Sequence, residues 1–335
     1  MQLEWIPVRR LNVFAAILSL LGIVFAIVAH SYLRRYALPV QAVAGVYVSF
    51  MLLLGMALAP GFRSVRGQLE PLFAGKRRML LVALWCFPYL VYAAGTLDFR
   101  WTALLKLLAI AAGVAAIYSA FPVRDMQGFT AQDACVAVAL IGVVLSGQLR
   151  GIWNVPVNLD FMGRLFLVGV ASWCWVFVRA IPGLGYEFGV SGEVVKQAAL
   201  HFGYFAAIAI PLSLAMRFTA WNPRWHGWGT FCLDYLEIFL FIALLEELFF
   251  RGFLQTLLSK TLGSWIAGQA FVSCLFGFFH VLHRPFPNWR YVALASVAGW
   301  FYGSAFRKGG NLMAPALMHA AVDTVWRTWF TAGLR

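Results

Sequence analysis

The stretch Leu244-Leu245-Glu246-Glu247-Leu248-Phe249-Phe250-Arg251 decides the fold. Two adjacent carboxylates and one guanidinium stand inside an apolar run that begins near Thr230 and ends near Leu258. Each ionised side chain at mid-bilayer costs roughly 2.5–3.5 kcal/mol on insertion scales, so charges in such a run mark function. On an α-helix Glu247 and Arg251 are i,i+4 neighbours and can pair. Glu246 is rotated about 100° away, which leaves one carboxylate free. An unpaired carboxylate in apolar surroundings suits a general base working near neutral pH. The plainer reading is a buried ion-pair cluster that fixes helix packing.

The rest of the chain supports a membrane setting. Of 335 residues, 62% are hydrophobic and only 12% are charged, where a soluble domain sits near 25% charged. Mean hydropathy is +0.79. Continuous rather than alternating apolar runs exclude a transmembrane barrel, so the fold class is all-α, a polytopic helical membrane protein. A span needs about 20 apolar residues. By that rule about eleven candidates run near 11–29, 38–60, 79–97, 101–121, 134–149, 164–182, 198–218, 230–258, 264–282, 291–308 and 311–331. The first lacks a small-residue cleavage site and reads as a retained helix. The eighth is long, with Asp234 and Glu237 early in it, and could begin as an interfacial helix.

The net charge of +13 belongs to basic residues in short loops beside anionic lipid. No basic soluble segment exists to bind nucleic acid, so the expected partners are the bilayer and a membrane-associated protein or peptide. Arg63, Arg66, Lys76, Arg77 and Arg78 crowd one loop. That bias places the N-terminus in the cytoplasm. Cys86, Cys135, Cys174, Cys232 and Cys274 all fall in apolar segments without a CxxC pair. They read as small buried hydrophobes rather than disulfide partners. Before residue 229, Asp98, Asp125, Asp133, Asp160, Glu187 and Glu193 read as loop or loop-edge residues. Lys106, Arg179 and His201 are lone polar residues, the first two near span ends or able to snorkel.

After residue 229 intramembrane polar residues gather. Phe276-Gly277-Phe278-Phe279-His280 places a histidine in the ninth span, and His319-Ala320-Ala321-Val322-Asp323 places an i,i+4 pair in the last. Each alone has a structural reading, as a packed histidine or a helix-end hydrogen bond. Polar groups in lipid must find partners, and the cheapest arrangement gathers all three faces around one hydrated cavity. Glu, His and His with an adjacent acid form a hydrolytic set: a base for water, and donors or a metal for the oxyanion. No HExxH helix or GxSxG elbow is present.

The ordered motifs EExxxR, FxxxH and HxxxN/D stand here as Glu246-Glu247-xxx-Arg251, Phe276-xxx-His280 and His319-xxx-Asp323. They resemble the CAAX prenyl protease and bacteriocin-processing family of intramembrane proteases, also called the CPBP or Abi family and related to Rce1. The turn Gly310-Asn311-Leu312 with Pro315 is also similar to that family's entry into its last motif helix. The resemblance covers roughly residues 230–330 and implies two regions: 1–229, a multi-span region of unassigned role, and 230–335, the protease core. It implies a membrane-embedded endopeptidase in a bacterial inner membrane. Glu246 and His280 would activate water, His319 and Asp323 would hold the oxyanion, and Glu247 and Arg251 would order the site. Asp323 stands where the prenyl proteases have Asn. A carboxylate donates no hydrogen bond unless protonated, so Asp323 better fits orienting His319 or binding a metal. The resemblance leaves both a metal-free Glu/His mechanism and a metal open, and Glu246, His280 and His319 could hold Zn²⁺ with an open position. A non-catalytic scaffold with the same helices and a proton-coupled transporter using the acids and histidines as a relay are the competing readings.

Overall fold

A backbone in hydrocarbon must satisfy its own polar groups, which makes the helix the only open-chain solution. The computed structural model describes residues 11–73, 80–120, 127–283 and 285–333. Each apolar run expected to span is a helix in it. In chain order these are α1 (Leu11–Tyr36), α2 (Val40–Leu58), the short α3 (Arg63–Leu69), α4 (Leu80–Thr96), α5 (Trp101–Ala120), α6 (Ala131–Leu145), α7 (Phe161–Val178) and α8 (Gly192–Ala215), then α9 (Trp228–Thr261), α10 (Trp265–Leu282), α11 (Trp289–Gly309) and α12 (Met313–Trp329). Lys76, Arg77, Arg78 and Asp125 lie outside the described residues.

Among the described residues, seven helices are long and apolar enough to cross a membrane, and α4 and α6 are shorter apolar helices. The chain is an integral membrane protein. Its outward faces carry large apolar side chains, such as Leu20, Ile23 and Ile27 on α1, Val138 on α6 and Phe271 on α10. In water such faces would aggregate, whereas against lipid they are the natural surface. Cys135, Cys232 and Cys274 also lie exposed, and all five cysteines are free. The expectation that every cysteine is buried therefore holds only for Cys86 and Cys174. The apolar pattern that placed them in helices does not say which face they occupy.

Helices start where the sequence offers a cap. Ser191, Ser264 and Asn288 accept from the backbone N–H three residues on, opening α8, α10 and α11. Each satisfies one of the donors that a helix start leaves orphaned. Thr130 and Asp133 form a reciprocal capping box at the start of α6.

The chain divides into two units, Met1–Met126 with Thr130–Ala180, and Gln127–Phe129 with Ile181–Arg335. The first packs aromatic side chains edge to face, with Trp85 against Phe166 and Trp173. A Cβ added to Gly45 would stand 2.5 Å from the Gly95 Cα. Helices α2 and α4 therefore touch backbone to backbone, the close approach that small residues permit in lipid. Asp133, in the first turn of α6, and Arg179, directly after α7, stand at the helix ends where the sequence places them. Neither reaches solvent: both side chains are wholly buried and pair at 3.2 Å. Arg179 meets both carboxylate oxygens, Tyr118 donates to Asp133 at 2.9 Å, and Thr130 donates to it through both N–H and hydroxyl. A buried ion pair is tolerated when its remaining hydrogen bonds are satisfied, as these are.

The second unit holds α8 to α12. Helix α11 packs on α8, α10 and α12, and α9 packs on α10, α11 and α12. One departure from all-helix is a two-stranded antiparallel pair, β1 (Thr219–Trp221) with β2 (Phe330–Ala332). It ties the chain entering α9 to the chain leaving α12. Asp234 and Glu237, early in α9, both pair with Arg327 of α12, at 3.1 and 3.2 Å. These are partly exposed contacts, worth about 0–1 kcal/mol each.

Candidate active site

Helix α9 carries the double glutamate, and its winding is irregular there. Two stretches, Phe239–Ala243 and Leu248–Gln255, are wound as π-helix, and Leu244–Glu247 between them is α. Wide turns of this kind recur at functional sites because they re-aim side chains off the regular helical stripe.

Glu247 and Arg251 are wholly buried and pair at 3.1 Å through Glu247 Oε1 and Arg251 Nη1. Arg251 Nη2 donates to the Gly299 carbonyl of α11 at 3.0 Å. Its guanidinium lies 4.6 Å from the Phe276 ring centroid and 5.2 Å from that of Tyr302. A Cβ on Gly299 would stand 3.3 Å from Nη2 and 3.1 Å from the Ser273 Cα. Glycine there lets the arginine and α10 reach the α11 backbone. A delocalised cation between aromatic faces, with a carboxylate in its plane, is an arrangement that arginine makes and lysine does not.

Glu247 has a second partner that the spacing did not foretell. His319 Nδ1 lies 2.8 Å from the same Oε1. The carboxylate accepts, so Nδ1 carries the hydrogen. The other ring nitrogen, Nε2, is 3.6 Å from Asp323 Oδ2, a contact too long to be a hydrogen bond. Tyr302 stacks on the His319 ring at 4.5 Å and 15°. The main anchor of His319 is therefore Glu247, across helices, rather than the local i,i+4 acid.

Glu246 makes no hydrogen bond or ion pair among the described residues and is only partly buried. The charges that act on it are those of His319, Asp323, Glu247 and Arg251. His280 sits in the tighter last turn of α10, Phe279–Leu282. Its Nδ1 is 2.8 Å from the Phe276 carbonyl. That oxygen can only accept, so Nδ1 donates and neutral His280 presents Nε2 as an acceptor. Its ring packs on Phe276 at 4.9 Å and Tyr291 at 4.5 Å. No hydrogen bond joins Glu246 to His280 among the described residues. What they share is electrostatic contact with His319 and Asp323.

The six expected residues lie on α9, α10 and α12. Glu247, Arg251, His319 and Asp323 touch in sequence, while Glu246 and His280 flank them. Tyr291 and Tyr302 were missed. They are eleven residues apart on α11, about three helical turns, and each lies against one of the two histidines. The buried polar run Gln255 and Gln269 was missed too. Gln255 donates to the Gly303 carbonyl, and Gln269 donates to the Trp300 carbonyl and the Ser304 hydroxyl, stitching α9 and α10 to α11. The i,i+4 step from Arg251 to Gln255 was a legible signal for the first.

Among the described residues, no three His, Cys, Asp or Glu side chains are grouped to hold a metal ion. Nδ1 of His280 is held by a carbonyl and Nδ1 of His319 by Glu247, which leaves Nε2 of both rings open.

Residues 228–325 match the family model described as type II CAAX prenyl endopeptidase Rce1-like. The matched segment is similar to that family over under a third of the chain. It opens at the first residue of α9 and takes in all six motif residues. The family is a membrane protease family, which supports an enzyme acting at the bilayer. No curated protein and no solved structure matches the chain.

Proposed function

We propose that the chain is an intramembrane endopeptidase that hydrolyses a peptide bond near a membrane face, in the manner of CAAX-protein processing. The observation that carries this is the division of labour within the double glutamate. Glu247 is held by Arg251 and His319, while Glu246 stands unpartnered beside them. A carboxylate left free next to a neutralised one is poised to take a proton rather than to hold a helix.

Glu246 removes a proton from a water whose other hydrogen is held by His280 Nε2. The water oxygen attacks the carbonyl carbon, and the carbonyl electrons move to oxygen. Collapse of this intermediate breaks the C–N bond, and Glu246 returns its proton to the leaving amine. Glu247 fixes the ring plane of His319 through Nδ1, and as an imidazolium His319 turns its Nε2–H to the reacting carbonyl oxygen beside Asp323. Tyr302, flat on the His319 ring, limits its rotation. The substrate is a membrane-associated protein or peptide. The membrane is the bacterial inner membrane with a cytoplasmic N-terminus, argued from the basic cluster Arg63, Arg66 and 76–78.

The test compares cells carrying wild-type or Glu246→Ala protein by quantitative mapping of membrane-protein termini. A discrete set of termini should vanish with Glu246→Ala while the chain still accumulates in the membrane. If the two termini sets coincide, the chain is a scaffold and the proposal fails.

A further inference from the structure

Peptide hydrolysis develops negative charge on the carbonyl oxygen, and that charge needs hydrogen-bond donors placed in advance. The site is rich in acceptors and poor in donors. Glu246, Glu247 and Asp323 can only accept when ionised, and His280 Nε2 is an acceptor because Nδ1 holds the hydrogen. Arg251 donates to Glu247 and to the Gly299 carbonyl, and its remaining N–H groups, Nε included, are wholly buried. His319 Nδ1 is committed to Glu247, which leaves its Nε2 at most. Asp323, one turn along α12 and 3.6 Å from Nε2, brings another acceptor.

We infer that the Tyr291 hydroxyl supplies the missing donor to the oxyanion. This rests on the peptidase reading above. Tyr291 stands in the first turn of α11, its backbone N–H fixed by the Asn288 side chain at 3.1 Å. Its ring is wedged between His280 at 4.5 Å, His283 at 5.1 Å and Phe218 at 5.2 Å. The hydroxyl makes no hydrogen bond among the described residues. Asp323 and Glu246 act on it electrostatically, and its ring stands against His280, the histidine that would hold the water. The hydroxyl oxygen is not sealed from solvent, so it is open to a substrate oxygen that arrives with the reaction. Tyr302 does not compete for the role: it is 1% exposed and lies flat on His319, a positioning residue.

The experiment uses the membrane-protein termini lost with Glu246→Ala and measures their rate of formation in cells carrying Tyr291→Phe, Asp323→Asn and the double variant. Removing one oxyanion donor costs about 10²–10³ in rate, so Tyr291→Phe should slow these termini by that factor with normal chain abundance and thermal stability. An amide at 323 can donate where the carboxylate cannot. The double variant should therefore recover at least about tenfold over Tyr291→Phe alone. Formation within about threefold of wild type in Tyr291→Phe overturns the inference. So does a loss that Asp323→Asn fails to relieve, which would mark Tyr291 as packing only. If no terminus depends on Glu246, the peptidase reading itself falls, and that outcome is distinct from a Glu246-dependent set indifferent to Tyr291.

Discussion

Arg251→Met tests whether the buried charges hold the domain together. Methionine keeps much of the aliphatic volume but removes the guanidinium. The change deletes the 3.1 Å pair with Glu247, the 3.0 Å bond to the Gly299 carbonyl and the contacts with Phe276 and Tyr302. Glu247, wholly buried, is left with His319 alone. Stranding one member of a buried ion pair costs about 3–5 kcal/mol. At 1.4 kcal/mol per factor of ten, that is about two to four decades in the unfolding equilibrium. The companion Glu247→Gln/Arg251→Met has no stranded charge. Neutral replacement of a buried pair is often free of cost, so it should be at least about 2 kcal/mol more stable than Arg251→Met. Reversible unfolding in mixed micelles, followed by tryptophan fluorescence, measures both. An Arg251→Met protein within about 1 kcal/mol of wild type, or a double variant no better than the single, would refute the reasoning.

Three further predictions follow from the same geometry. Glu246→Gln should lower cleavage by about 10²–10⁴ without a stability loss, since Glu246 holds no partner; the same unfolding assay and the rate of Glu246-dependent termini check this. Arg179→Met should destabilise the protein by about 3–5 kcal/mol through the stranded Asp133, and Asp133→Asn/Arg179→Met should recover much of it. Purified protein should carry no stoichiometric metal, and a chelator should leave cleavage unchanged; a zinc ion lost together with activity would mean that the site rearranges to bind it.

Much of this architecture was legible because hydrocarbon imposes a simple rule on the backbone. The apolar runs near 11–29 and 264–282, for example, became α1, which runs seven residues further to Tyr36, and α10, which starts one residue later. The Glu247–Arg251 pair was legible because i,i+4 spacing survives even where the helix widens. What distance in sequence separates was hidden. His319 meets Glu247 across 72 positions and Arg179 meets Asp133 across 46, and no local pattern announces either. The π winding around Leu248–Gln255 has no composition signal of its own. The β1–β2 pair joins three-residue segments at least 109 positions apart, the nearest partners being Trp221 and Phe330, and each is too short for strand periodicity to show. The tyrosines on α11 read as ordinary apolar residues because nothing in the sequence says which histidine they face.

The central claim is that Glu246 is the base of a peptidase. The most direct measurement places purified wild-type and Glu246→Ala protein in liposomes with a peptide spanning one of the Glu246-dependent termini, and follows product by mass spectrometry. The account predicts a single cut by the wild type at the mapped bond and none by Glu246→Ala. Cleavage by Glu246→Ala at the wild-type rate would contradict it.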